Sequence, residues 1–372
     1  MESSRLIIKI GSALVADEEG RPRLGWMEAL AEDVAAWRQK GREVMIVTSG
    51  AMALGRNRLN LSREKLRRPL YMEEKQAAAA VGQPVLIQAW EKAFALHGVT
   101  TAQILLTLDD TEDRQRHLTC RSAIAELLKL GALPVINEND TVSTTEIRIG
   151  DNDRLAARVA QMMSADTLIL LSDIDGLYTA NPKLDPTATF IPEVKEVTPE
   201  IEGMAGDPLA GNSSGGMRTK IMAAKIAMAS GCRMAIVRGD IDHPLQKLDS
   251  GAQRCTWFSP STTPLAARKR WIAAHMKMKG SLSIDEGAAK ALTSGKSLLP
   301  AGVKAADGDF VAGDAVSIKT LAGEAIGCGL ISYDADEATR ILGKKSDAIE
   351  AILGYSGPEE IIHRDNMVLN KG

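Results

Sequence analysis

Short apolar runs recur along the first two thirds of the chain, at 6–10, 44–47, 104–107, 133–136, 168–171 and 235–237. Each is apolar at consecutive rather than alternate positions, the pattern of a strand covered on both faces. Between the runs the period changes. Met27, Leu30, Val34 and Trp37 keep helical spacing and stop at Lys40-Gly41; Ile124, Leu127 and Leu128 do the same before Gly131. Glycine just past the last periodic residue is a helix stop signal. A further helix is expected from about Asn152 through Met163. Alternating strands and helices predict an α/β architecture, a three-layer αβα sandwich around a mainly parallel sheet. Ligands of such sheets sit beyond the carboxyl ends of the strands.

The texture changes near residue 259. "SPSTTPLAARKRWIAAHMKMKG" mixes Pro, Ser and Thr with a basic run and reads as a linker, after which short strands are punctuated by Gly302, Gly308, Gly313, Gly323, Gly327 and Gly329. The expected organisation is a larger α/β domain over 1–258, a linker over 259–275, and a small β-rich domain over 276–368. A length of 372 residues fits two domains better than one.

Composition narrows the function classes. Hydrophobic residues at 45% and charged residues at 25% are those of a globular protein, and a net charge of −3 gives no electrostatic reason for nucleic acid as the main partner. Cys120, Cys232, Cys255 and Cys328 are widely spaced and form no CxxC pair, which points to reduced thiols in the cytoplasm. The five histidines show no metal-binding spacing. The opening MESSRLIIKIG is too short in apolar residues for a signal peptide, and no stretch suits a bilayer.

The chemistry lies just after the strands. Lys9, in KIGS, is an ammonium embedded in an apolar run, which either snorkels at the strand end or meets an anion. In TSGAMALG, Gly50 admits close approach to the backbone and the next helix offers free N–H groups, while Ser49 either caps that helix or hangs over the cleft. The stretch VINENDTVSTTEIRIGDNDRLA carries two clusters of small carboxylates and amides. Asp140 suits an α-ammonium, Asn152 suits a ligand bearing carboxylates, and one of Asp151 and Asp153 is expected to cap the helix. Ser172-Asp173 tops the next strand. The small-residue run AGNSSGG, followed by Met217, Arg218, Thr219 and Lys220, puts backbone N–H groups and a cation together, as phosphate binding requires. It is no Walker A motif, and the GKS at 295–297 lacks the upstream glycine. Lys9 and Lys220 as cations, with Asp153 holding them, form a set for phosphoryl transfer, where positioning and charge stabilisation do most of the catalysis.

With these residues assembled, the chain resembles the amino-acid kinase family, and within it the glutamate 5-kinases. The marks are KIGS, VTSGAMALG, QILLT, PVINENDTV, GDNDRLA, LLSDIDGLYTANP and SGGMRTK, in that order. The C-terminal part, with SLSIDEGAAKAL, GKSLLPAGV, GLISYDA and ILGYSGPEEIIHRDNMV, resembles a PUA domain. The resemblance implies the amino-acid kinase fold and ATP-dependent phosphorylation of the L-glutamate side-chain carboxylate, the first step of proline biosynthesis. It also implies Mg²⁺ carried on the nucleotide, inhibition by proline and a homo-oligomer, dimer or tetramer. It makes Lys9 and Lys220 the phosphate-stabilising lysines and Asp153 their organiser. It makes Ser49, Gly50, Asp140 and Asn152 the glutamate contacts. Lys9, Ser172, Asp173, Ser214, Gly215, Gly216, Met217, Arg218, Thr219 and Lys220 then form the nucleotide side. Ser213-Ser214 departs from the Gly-Thr common in that loop. Kinases of N-acetylglutamate, aspartate, carbamate or UMP are the rivals on this fold. PUA domains elsewhere bind RNA, but from residue 276 onward about 11 Lys and Arg face about 14 Asp and Glu, the wrong balance for phosphate.

Overall fold

A computed structural model describes residues 4–61, 68–143, 151–205, 216–267, 269 and 277–370, apart from the side chain of Asp151. The linker expected at 259–275 lies in part outside these; residues 264–267 are helical. The chain divides into two compact units, Met1–Pro264 and Leu265–Gly372.

The first unit is built on ten strands: β1 (Arg5–Ile10), β2 (Glu43–Val47), β3 (Thr101–Leu106), β4 (Leu133–Glu138), β5 (Thr167–Ser172), β6 (Leu177–Tyr178), β7 (Phe190–Ile191), β8 (Glu193–Val194), β9 (Arg233–Arg238) and β10 (Cys255–Phe258). Eight of them form one sheet in the order β3-β4-β2-β1-β5-β9-β10-β8. From β3 to β9 every pairing is parallel; β10 runs antiparallel to β9 and carries β8 beside it. The six apolar runs all fall on this parallel part, and five are covered on both faces. β3 is not. It is the edge strand, paired only with β4, and Leu105 is 38% exposed, so its apolar run marks the sheet but not full burial.

Alternation along β1 assigns the two layers. Leu6, Ile8 and Ile10 enter one core with helices Leu24–Gln39 and Met72–Ala95, whereas Ile7 enters the other with helices Asp151–Met163 and Met217–Ala229. The helix stops behave as their glycines predict: Gly41 and Gly131 both take φ of 78°. Helix Ala51–Arg58 packs on helix Met72–Ala95 at backbone contact. A Cβ on Gly82 would lie 1.7 Å from the Ala51 carbonyl oxygen, and one on Gly55 would lie 1.8 Å from that of Ala78. Only two glycines facing each other permit this approach.

The second unit has its own core and a five-stranded sheet of β11 (Gly280–Ile284), β12 (Val303–Gly308), β13 (Ala315–Thr320), β14 (Ala325–Leu330) and β15 (Met367–Leu369), in the order β12-β11-β13-β14-β15. Asp285 and Asp334 cap its helices Glu286–Thr293 and Ala335–Ile341. No described helix of the chain is long and apolar enough to cross a membrane.

Candidate active site

Lys9 lies two residues beyond Ile7 and therefore points to the same layer, over the first turns of helices Asp151–Met163 and Met217–Ala229. Those first turns supply its partners. Lys9 Nζ is 2.6 Å from Asp153 Oδ1, and Lys220 Nζ is 3.1 Å from Asp153 Oδ2. The Thr219 hydroxyl donates to the same Oδ2 at 2.9 Å. Asp153 has no exposed surface, and each lysine keeps only 6%. Three residues from three elements, far apart in the chain, thus close one buried cluster.

The electrostatics follow from the two-to-one charge ratio. Burial pushes the Asp153 carboxyl up, but two ammonium groups outweigh it, and the pKa settles at about 2. For Lys9, burial lowers the pKa, Asp153 opposes this, and the neighbouring Lys220 adds to it; the net direction is down. The anion sees two cations, while each cation sees one anion and one cation. A cluster with a net positive charge, out of water, is built to receive a further anion. Lys9 does not snorkel.

The helix that carries Lys220 begins at Gly216 without a side-chain cap, so its first N–H groups are left for something else. Ser172 is buried, on the same face of β5 as Leu168 and Leu170 of that layer, and its hydroxyl donates to Asp173 Oδ1 at 3.1 Å; Asp173 is exposed at the sheet top. Gly216, Met217, Arg218 and Thr219 are described. Ser213, Ser214 and Gly215 lie outside the described residues, as does the effect of the Ser213-Ser214 departure. Tyr178 packs edge-on against Phe190 and hydrogen-bonds Asp175 at 2.9 Å, a structural part.

On the other side, Gly50 and not Ser49 caps helix Ala51–Arg58, at φ 109°, a backbone conformation glycine alone takes freely. The Ser49 hydroxyl is therefore not the cap. Asp153 is not a cap either, since both its oxygens face the lysines. Asn152 is half-buried and its Oδ1 has no hydrogen-bond partner among the described residues. Asp140 lines a cavity of about 390 Å³ together with Gln83, Glu138 and Asn139.

Two residues of this side carry no motif that sequence reasoning singles out. Asn137, at the end of β4, is 2% exposed; its Nδ2 donates to Gln83 Oε1 at 2.8 Å, and its Oδ1 has no partner among the described residues. Asn137 belongs to the NEND cluster, so burial was the missing signal. Gln83 sits inside an ordinary helical pattern and had none.

A buried two-lysine, one-aspartate cluster at the switch point of a mainly parallel sheet defines a phosphoryl-transfer fold, and comparison with known proteins agrees. The family described as "Amino acid kinase family" matches residues 4–238, and the "PUA domain" family matches residues 280–353. A glutamate 5-kinase of Paramagnetospirillum magneticum is 57% identical over 368 residues, covering 99% of this chain and 98% of the relative. Glutamate 5-kinase 1 of Rhizobium meliloti is 56% identical over 365 residues, covering 98% and 92%. The crystal structure of UMP kinase from Ureaplasma parvum superposes with a TM-score of 0.50 at 15% identity, over 70% of this chain and all of that one, and shows the fold alone. The chain belongs to the amino acid kinase family and carries a C-terminal PUA domain. Its place within the family is among the glutamate 5-kinases.

Proposed function

We propose that the protein transfers the γ-phosphoryl group of ATP to the side-chain carboxylate of L-glutamate, giving L-glutamyl 5-phosphate and ADP, the step that opens proline biosynthesis. The observation that carries this reading is the buried Lys9–Asp153–Lys220 cluster. The transferring phosphoryl group spreads its charge over its outer oxygens, and two pre-positioned ammonium groups stabilise that charge without reorganising. Asp153 holds them in place against their mutual repulsion. The nucleophile is already a carboxylate, so no general base is required.

The first turn from Gly216 through Lys220, together with Ser172 and Asp173, forms the nucleotide side. The net positive cluster and the uncapped helix start fit a polyphosphate, and Mg²⁺ carried on the nucleotide would neutralise its β and γ oxygens. Ser49, Gly50, Asp140 and Asn152 form the acceptor side. Asp140 meets the α-ammonium, and Asn152 offers its amide to a carboxylate. An acetylated nitrogen would bring no charge to Asp140, and UMP would call for more cations there.

The test is ADP release from Mg·ATP with L-glutamate, N-acetylglutamate, L-aspartate and UMP as separate acceptors. Turnover is expected on L-glutamate. Turnover on UMP or N-acetylglutamate with none on L-glutamate overturns the reading. Repeating the assay with added L-proline checks the inhibition that the resemblance implies.

A further inference from the structure

Helix Met72–Ala95 touches the strand ends at several points. The Trp90 indole N–H donates to the Thr48 hydroxyl at 3.2 Å, just after β2. Gly82 lies against the backbone of Ala51 at the start of the helix that follows Gly50. Its next residue, Gln83, accepts from Asn137 Nδ2 at 2.8 Å just before the NEND turn, and lines the cavity that Asp140 also lines. Because the glycine contact leaves no slack, Gln83 is carried at a fixed height over β4.

We propose that Gln83 is a positioning residue for substrate recognition: it ties down the amide nitrogen of Asn137 and so turns the buried Asn137 Oδ1 outward as a second acceptor, besides Asp140, for the α-ammonium of the amino-acid substrate. The inference rests on the acceptor assignment made above and deepens it. A carboxamide offers a donor end and an acceptor end. With Nδ2 engaged by Gln83, only the carbonyl end of Asn137 is left, and it has no donor among the described residues. A buried carbonyl without a donor is unfavourable until one arrives. An ammonium has donors only, so this end matches it, whereas an outward-turned NH₂ would favour a carboxylate instead. Asp140 then supplies the charge and Asn137 the direction.

The full-length enzyme is compared with Gln83→Leu and Gln83→Glu. Leu removes the partner of Nδ2 and frees the carboxamide to turn; Glu keeps an acceptor at that place. Gln83→Leu is expected to raise the KM for L-glutamate by roughly 10- to 100-fold, the loss of one hydrogen bond to a charged group, with the KM for ATP little changed. Gln83→Glu is expected to remain within a few-fold of wild type. The inhibition constant of glutarate, which keeps both carboxylates and lacks the amine, should be nearly the same in all three proteins. Gln83→Met, also without a carbonyl, replaces Leu if that variant does not fold. The proposal is overturned if the variant without an acceptor leaves the KM for L-glutamate unchanged, if Glu is as damaging as Leu, or if glutarate binding weakens in parallel. A wild-type enzyme inactive on L-glutamate would sink the functional reading first and this inference with it, whereas the other adverse outcomes sink the inference alone.

Discussion

Replacing Asp153 by Asn preserves shape and removes one charge, which isolates what the carboxylate does. In the native cluster Asp153 is shared by Lys9 at 2.6 Å and Lys220 at 3.1 Å, all three buried. Removing one partner of a buried ion pair costs about 3–5 kcal/mol, because the remaining charge is left uncompensated. The loss has a ceiling, since a lysine can shed its proton: at pH 7 that costs about 4–5 kcal/mol from an ordinary pKa near 10.4. Lys9 is already shifted down by burial, with Asp153 the main opposing influence, so it would be the first to deprotonate. For a cooperative unit spanning Met1–Pro264, an unfolding entropy of about 2.1 cal/mol/K per residue turns 3–5 kcal/mol into a melting decrease of about 5–9 °C. The catalytic loss should be larger in proportion. Two ammonium groups no longer held on the phosphoryl path should lower kcat by about 10²–10³-fold, the range for losing a pre-organised charge stabiliser. Scanning calorimetry reads the first quantity and ADP release at saturating substrates the second. The residual activity should also fall with rising pH earlier than in wild type, as Lys9 loses its proton sooner. An Asn variant with native melting and kcat within a few-fold of wild type would refute the claim that this carboxylate organises the cluster.

Asp140→Asn should raise the KM for L-glutamate far more than that for ATP; equal changes in steady-state kinetics would remove Asp140 from the ammonium. Gly82→Ala drives a methyl to 1.7 Å from the Ala51 carbonyl oxygen, so the two helices must separate. The expected loss is about 1–3 kcal/mol in denaturant unfolding, with a raised KM for L-glutamate as Ser49 and Gly50 shift; unchanged stability and KM would contradict the close contact. The acid limb of stability carries the Asp153 signature. Its carboxyl is at about 2 in the fold against an ordinary 3.8, so it contributes on the order of 2 kcal/mol above pH 4 that disappears as the pH falls towards 2. The stability gap between wild type and Asp153→Asn should narrow over that window, and parallel curves would show that the depressed pKa is absent.

The strands and helix ends were legible because they depend on neighbours in the chain. Consecutive apolar residues at 6–10 and 168–171 leave no face for water, and Gly41 and Gly131 end helices by their own backbone freedom. The edge position of β3 was not legible. Whether Leu105 is covered depends on what pairs beyond β3, and that is set by strand order rather than by composition. The reversal at β10 is of the same kind.

The site divides along the same line. Lys9, Asp153 and Lys220 could be named from their places after strands and before helices, and the family motifs sharpened that choice. Gln83 could not be found, because its partner Asn137 stands 54 residues away and nothing in an alanine-rich helix announces it. By itself the amino-acid order determined the layered class, the two-domain division of the family match, and the candidate groups for moving phosphate. Only the tertiary structure decided that one buried carboxylate serves two lysines, that Gly50 and not Ser49 caps its helix, and which end of Asn137 is free. The physical reason is range: backbone preference and apolar periodicity act over a few residues, whereas burial, charge compensation and hydrogen-bond direction belong to groups that only folding brings together.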